Sequence, residues 1–80
     1  MAEKIRVAGV TAVKITGEYI KLDSFLKLAG VAGTGGAAKA MIADGAVRVN
    51  GETASERGKK LRSGAVVAVG GRAYVIGTET

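Results

Sequence analysis

One stretch of the chain leaves few folds open to it. Thr34 to Gly51, TGGAAKAMIADGAVRVNG, sets a helix start, a helix stop, a short strand and a hairpin turn in immediate succession. Thr34 is a capping residue type, and Gly35 and Gly36 leave the first backbone N–H groups of the helix uncovered by side chains. Ala38, Met41 and Ile42 recur at helical spacing and are predicted to face a core, whereas Lys39 falls off that face toward solvent. Asp44-Gly45 ends the helix, because glycine takes the left-handed conformation that closes many helices. Val47 and Val49 flank Arg48 as in a half-buried strand, and Asn50-Gly51 is a strong short-range hairpin signal. Arg48 is therefore predicted to point away from the core. An open helix N-terminus followed by an outward arginine is a place where a polyanion is expected to sit.

The remaining sequence is too short to build a second core. Eighty residues, 48% of them hydrophobic, predict one domain over 1–80, which buries about 60% of the surface of the unfolded chain. The absence of cysteine removes disulfides and thiol chemistry, and the absence of histidine removes the commonest general base and metal ligand. No apolar run is long enough to span a bilayer or to act as a signal peptide, Val10 to Ile15 being only locally apolar. The expected compartment is the cytoplasm. Twelve Lys and Arg against seven Asp and Glu give a net charge of +5, a bias suited to nucleic acid or another anionic surface.

Residues 1 to 16 alternate weakly, with Ile5 and Val7 around Arg6 and Val13 and Ile15 around Lys14, and read as one or two strands interrupted at Gly9. The first few residues read equally well as a frayed tail. Thr16-Gly17-Glu18 is a turn. From Ile20 the pattern changes to Leu22, Phe25, Leu26 and Ala29, the spacing of an amphipathic helix, with Asp23 in its first turn, Lys27 exposed and Gly30 as its stop. Val31-Ala32-Gly33 is too short for an element, so the two helices form a helix-turn-helix pair. Reading DNA in the major groove needs several polar or basic side chains on the outer face of the second helix, and only Lys39 is available.

Beyond the hairpin, four of the six side chains from Arg57 to Arg62 are cationic and none is acidic, with Leu61 as the single apolar anchor. Such runs are usually solvated loops, but this one follows a strand that already exposes Arg48, so that both are expected to line one face. Val66 to Val69 reads as a strand, Gly70-Gly71 as a two-residue turn and Arg72 to Ile76 as the return strand. Gly77 to Thr80 is expected to be a loose tail.

Lys21-Leu22-Asp23-Ser24-Phe25-Leu26-Lys27, Thr34-Gly35-Gly36-Ala37-Ala38-Lys39, Gly45-Ala46-Val47-Arg48-Val49-Asn50-Gly51-Glu52 and Arg57-Gly58-Lys59-Lys60-Leu61 together resemble the RNA-binding domain first described in small-subunit ribosomal protein S-four, the alpha-L motif. The likeness is closest to small stand-alone bacterial members, the YaaA-like and YbcJ-like proteins. It covers residues 18–69, and the segments occur in order at compatible spacing. The resemblance implies an α+β fold, a two-helix unit packed on a small, mostly antiparallel sheet, with flanking strands outside an RNA-binding core at 18–69. It also implies an RNA surface made of Thr34, Gly35, Gly36 and Lys39 at the second helix, Arg48 on the strand, and Arg57, Lys59 and Lys60 in the loop. Many members have an arginine near the start of the second helix, where this chain has glycines and alanines. Many also have an aspartate after the glycine equivalent to Gly64; here Ala65 removes a local hydrogen-bonding group, so a weaker turn is expected before the last strands.

The expected function is non-catalytic binding of structured RNA, ribosomal RNA above all, by a monomer acting on RNA or ribosomal particles. Lysine and arginine neutralise phosphates, and the helix N-terminus donates N–H groups to one phosphate. Stacking is expected to be minor, because Phe25 is spaced as a core residue and only Tyr19 and Tyr74 remain. No cofactor, metal or membrane partner is expected. Gly33 to Gly36 lacks the lysine and the following serine or threonine of a phosphate loop, and no Ser-His, Cys-His or metal cluster exists to support catalysis. The alternative is a protein-protein adapter that uses the basic face or a sheet edge.

Overall fold

The computed structural model describes residues 6, 7 and 10–78, with side-chain burial from Val10 onward. In chain order the elements are β1 (Arg6–Val7), β2 (Val10–Ile15), β3 (Ile20–Lys21), α1 (Leu22–Leu28), α2 (Gly35–Ala43), β4 (Val47–Val49), β5 (Glu52–Thr53), β6 (Lys60–Leu61), β7 (Val66–Val69) and β8 (Arg72–Thr78). The two readings made for the first residues and the interruption at Gly9 fall on positions outside those described.

Among the described residues six strands form one sheet in the order β1-β2-β8-β7-β4-β5, and β3 and β6 form a separate two-stranded ribbon. All neighbours are antiparallel except β2 and β8, which run parallel from Val10 opposite Ala73 to Ile15 opposite Thr78. Two helices on a mostly antiparallel sheet make an α+β fold, as the motif order implies.

Alternation assigns the two faces of the sheet. Val47 and Val49 on β4, Val67 and Val69 on β7, and Tyr74 and Ile76 on β8 are buried on the side that receives the helices. The helices cover that side with Leu22, Phe25 and Leu26 from α1 and Ala38 and Ile42 from α2. Phe25 meets Tyr74 edge-on, ring centroids 6.0 Å apart at 76°, a favoured aromatic geometry. Arg48, between two buried valines, leaves the sheet on the face away from the helices.

The helix ends follow from their residues. At α2, the Thr34 hydroxyl oxygen accepts the Ala37 N–H at 3.0 Å. At its other end, Gly45 takes a φ of 75° and the Gly45 and Ala46 N–H groups donate back to the Ile42 and Met41 carbonyls, the closing pattern glycine permits. At α1, Gly30 and Val31 close on Lys27 and Leu26 in the same way.

Two expectations change. Ile20 and Lys21 are strand, not helix, because they pair with Leu61 and Lys60 before the helix begins at Leu22. Gly77 and Thr78 are not a loose tail: they continue β8 and pair with Lys14 and Ile15 of β2. The turn at Gly64 and Ala65 is closed by main-chain bonds. Gly64 N–H donates to the Ile76 carbonyl at 2.7 Å, Ala65 N–H to the Arg62 carbonyl at 3.0 Å, and Ile76 N–H to the Ala65 carbonyl at 2.9 Å.

Candidate nucleic-acid interface

The two helix N-termini are used differently. Lys21, at the cap of α1, makes no side-chain capping bond; instead the Leu22 N–H donates to the Lys59 carbonyl at 2.9 Å and the Asp23 N–H to the Arg57 carbonyl at 3.0 Å. The cationic loop therefore closes the start of α1 with its own backbone. At α2 the side-chain cap satisfies Ala37 N–H and leaves Gly35 and Gly36 N–H in the first turn, where a helix has no internal acceptor to offer. Backbone shape does not require these two glycines. Neither has a positive φ, a Cβ at Gly35 would meet no atom within 4 Å, and one at Gly36 would meet only the Thr34 Oγ1 at 3.9 Å.

The loop is anchored from below by Leu61, 1% exposed, while Arg57, Lys59, Lys60 and Arg62 are all exposed. Among the described residues the side-chain hydrogen bonds belong to Asp23, Thr34 and Asn50, so no lysine or arginine head is held by such a bond. The Lys60 and Arg62 heads lie against the Tyr19 ring instead.

Shallow depressions show which predicted residues come together. Lys39 of α2 and Arg57 of the loop line one together with Ser55. Ser55 also borders a second, which continues past Glu52 and Glu56 to Lys59. Lys59 then borders a third with Lys60, Arg62 and Asn50. Through these shared residues the three depressions form a series from α2 past the loop to the ribbon, with cations at its two ends and Glu52 and Glu56 beside Lys59 in the middle. Arg48 is not in it. It lines a separate depression with Arg72 and the Gly70-Gly71 turn, so Arg48 and the cationic loop do not share one depression. Thr34, Gly35 and Gly36 sit at the N-terminal end of α2, one turn before Lys39.

Two residues in this region escape motif reading. Arg62 belongs to the cationic run, but its placement on the outer side of the ribbon depends on the strand character of Lys60–Leu61. Tyr19 has no motif at all, yet it is 39% exposed and lies against Lys60 and Arg62. The charged-apolar-charged order of Lys60, Leu61 and Arg62 is the sequence signal that could have placed Arg62.

Among the described residues no group of three or more His, Cys, Asp or Glu side chains is arranged to hold a metal ion, and no helix is long and apolar enough to cross a membrane.

Comparison with known proteins adds two findings. The family described as the S4 domain matches residues 13–77. A protein of Bacillus subtilis (strain 168) described as probable ribosome maturation protein RlbA is 44% identical over 59 residues, which cover 74% of this chain and 83% of that relative.

Proposed function

This chain belongs to the S4 domain family, and from that premise we propose that it binds structured RNA, ribosomal RNA above all, and acts without catalysis in ribosome maturation in the cytoplasm. The core of the activity is residues 18–69, and the protein works as a monomer on RNA or on ribosomal particles. The description of the Bacillus subtilis relative supports the ribosomal role.

What carries this reading is the way the cationic loop is held. Its main chain is bonded to the first turn of α1 through the Arg57 and Lys59 carbonyls, and Leu61 is sunk in the core, so ordering on RNA costs only the side chains. Preorganised cations give up less freedom on binding than cations on a mobile loop. The proposed RNA surface comprises Thr34, Gly35, Gly36 and Lys39, then Arg57, Lys59 and Lys60, with Arg48 as an outlying contact from the far side of the sheet. Phosphate neutralisation by lysine and arginine supplies affinity through counterion release, and the Gly35 and Gly36 N–H groups offer one phosphate a place at the positive end of α2.

A salt titration of binding to total bacterial RNA tests this, comparing the parent with the triple variant Arg48→Ala, Lys59→Ala, Lys60→Ala after both are shown to be folded. Loss of affinity and of salt slope in the variant supports the surface. Equal behaviour moves the site elsewhere. No binding by either protein turns the reading toward a protein adapter.

A further inference from the structure

The β3–β6 ribbon carries an arrangement that phosphate neutralisation alone does not use. Ile20 is opposite Leu61 and Lys21 opposite Lys60, so the half-buried Ile20 and the buried Leu61 turn inward together. The residues that alternate with them, Tyr19, Lys21, Lys60 and Arg62, are exposed. Lys60 Nζ lies 4.8 Å and the Arg62 guanidinium carbon 5.7 Å from the centre of the Tyr19 ring. Phe25 and Tyr74 are buried against each other, which leaves Tyr19 as the aromatic ring open to solvent. Like charges directly opposite each other, as at Lys21 and Lys60, cost stability unless an anion sits between them.

We propose that Tyr19 is a stacking platform for one unpaired RNA base, with Lys60 and Arg62 taking the phosphates on either side of it. The proposal rests on the RNA-binding reading and adds a nucleotide class to it: an unpaired base next to the structured segment. The exchange is favourable. A base stacked on an aromatic ring is worth roughly 5- to 150-fold in affinity, against about 2- to 5-fold for an exposed cation–π contact. A base that displaces the Lys60 ammonium alone and leaves the Arg62 contact in place therefore gains more than it replaces, and frees Lys60 for a phosphate of the same nucleotide. Lys60 and Arg62 also border the open depression of about 430 Å³ that contains Asn50 and Ser63, space of small-ligand size for the adjoining nucleotide.

The experiment uses purified bacterial ribosomal RNA as the probe and compares the parent with Tyr19→Phe, Tyr19→Leu and the double variant Lys39→Ala, Arg57→Ala, with thermal melts confirming that each is folded. The chain has no tryptophan and two tyrosines, so the emission lost in Tyr19→Phe reports on Tyr19 alone. The expected result is quenching of that emission by RNA, with Tyr19→Phe binding like the parent. Tyr19→Leu is expected to bind about tenfold more weakly at an unchanged salt slope. If the double variant binds weakly but Tyr19→Leu matches the parent and the emission is not quenched, RNA binding stands and the stacking platform is overturned. If the parent does not bind at low salt, the RNA reading falls and the platform with it.

Discussion

Asn50 is bonded twice to Val66. Its main-chain N–H donates to the Val66 carbonyl at 2.8 Å, and its side-chain Oδ1 accepts the Val66 N–H at 2.9 Å. The same residue holds the left-handed corner of the β4–β5 turn, with a φ of 52°. One asparagine thus shapes a local turn and joins it to the start of β7. Asn50→Ala loses both the side-chain acceptor and the tolerance of that φ, and is expected to lower stability by about 1–3 kcal/mol in urea unfolding. Asn50→Gly keeps the turn and loses only the acceptor, so its loss is smaller, about 1 kcal/mol.

Gly35 and Gly36 separate stability from binding. Because a Cβ is accommodated at both positions, alanine there is expected to leave stability unchanged or raise it by up to about 1 kcal/mol, through lower entropy of the unfolded chain. RNA affinity is expected to fall, since the methyl groups cover the N–H groups offered to a phosphate. Unchanged affinity in a filter-binding assay would remove the α2 N-terminus from the RNA surface.

Thr34→Ala removes the acceptor for the Ala37 N–H and is expected to cost about 1 kcal/mol of stability, with Thr34→Ser close to the parent. Thermal melts of the three proteins decide it.

Leu61→Ala is the severe case. The side chain is 1% exposed, and truncation of a buried leucine costs about 2–5 kcal/mol, a large share of the stability of a small domain. Hydrogen exchange of the Leu22 and Asp23 amides, which donate to the loop carbonyls, is expected to accelerate more than the general loss of stability predicts if the anchor yields locally.

Charge variants map the series of depressions. If four cations engage single-stranded segments, the slope of log K against log salt is roughly −3, at about −0.7 per contact. Lys39→Ala with Arg57→Ala, Lys59→Ala with Lys60→Ala, and Arg48→Ala alone each remove the slope due to their own depression, so the three titrations report which depressions touch RNA. Glu52 and Glu56 lie in the middle of the series, where they repel a polyanion. Glu56→Gln is expected to raise affinity about two- to threefold at low salt and to have little effect at high salt.

The local punctuation of this protein was legible in its residues. The Thr34 cap, the Gly45 stop, the Asn50-Gly51 and Gly70-Gly71 turns and the Leu22–Phe25–Leu26 stripe each depend on neighbours a few positions away, so the chain states them directly. Other features depend on partners far apart in sequence. The parallel union of β2 with β8, which draws Gly77 and Thr78 into the sheet, needs two ends of the chain to meet in one register, and neither segment names its partner. The pairing of Ile20 with Leu61 is of the same kind; without it Tyr19 is an unassigned aromatic and Arg62 one more loop cation. That Arg48 opens on the depression beside Arg72, and not on the one that holds Lys59 and Lys60, is also decided in three dimensions. Alternation on β4 tells only that Arg48 faces outward, whereas the helices decide which face of the sheet is outward. Residue type and local spacing determined the elements and their ends, and long-range packing of apolar faces decided which charges became neighbours.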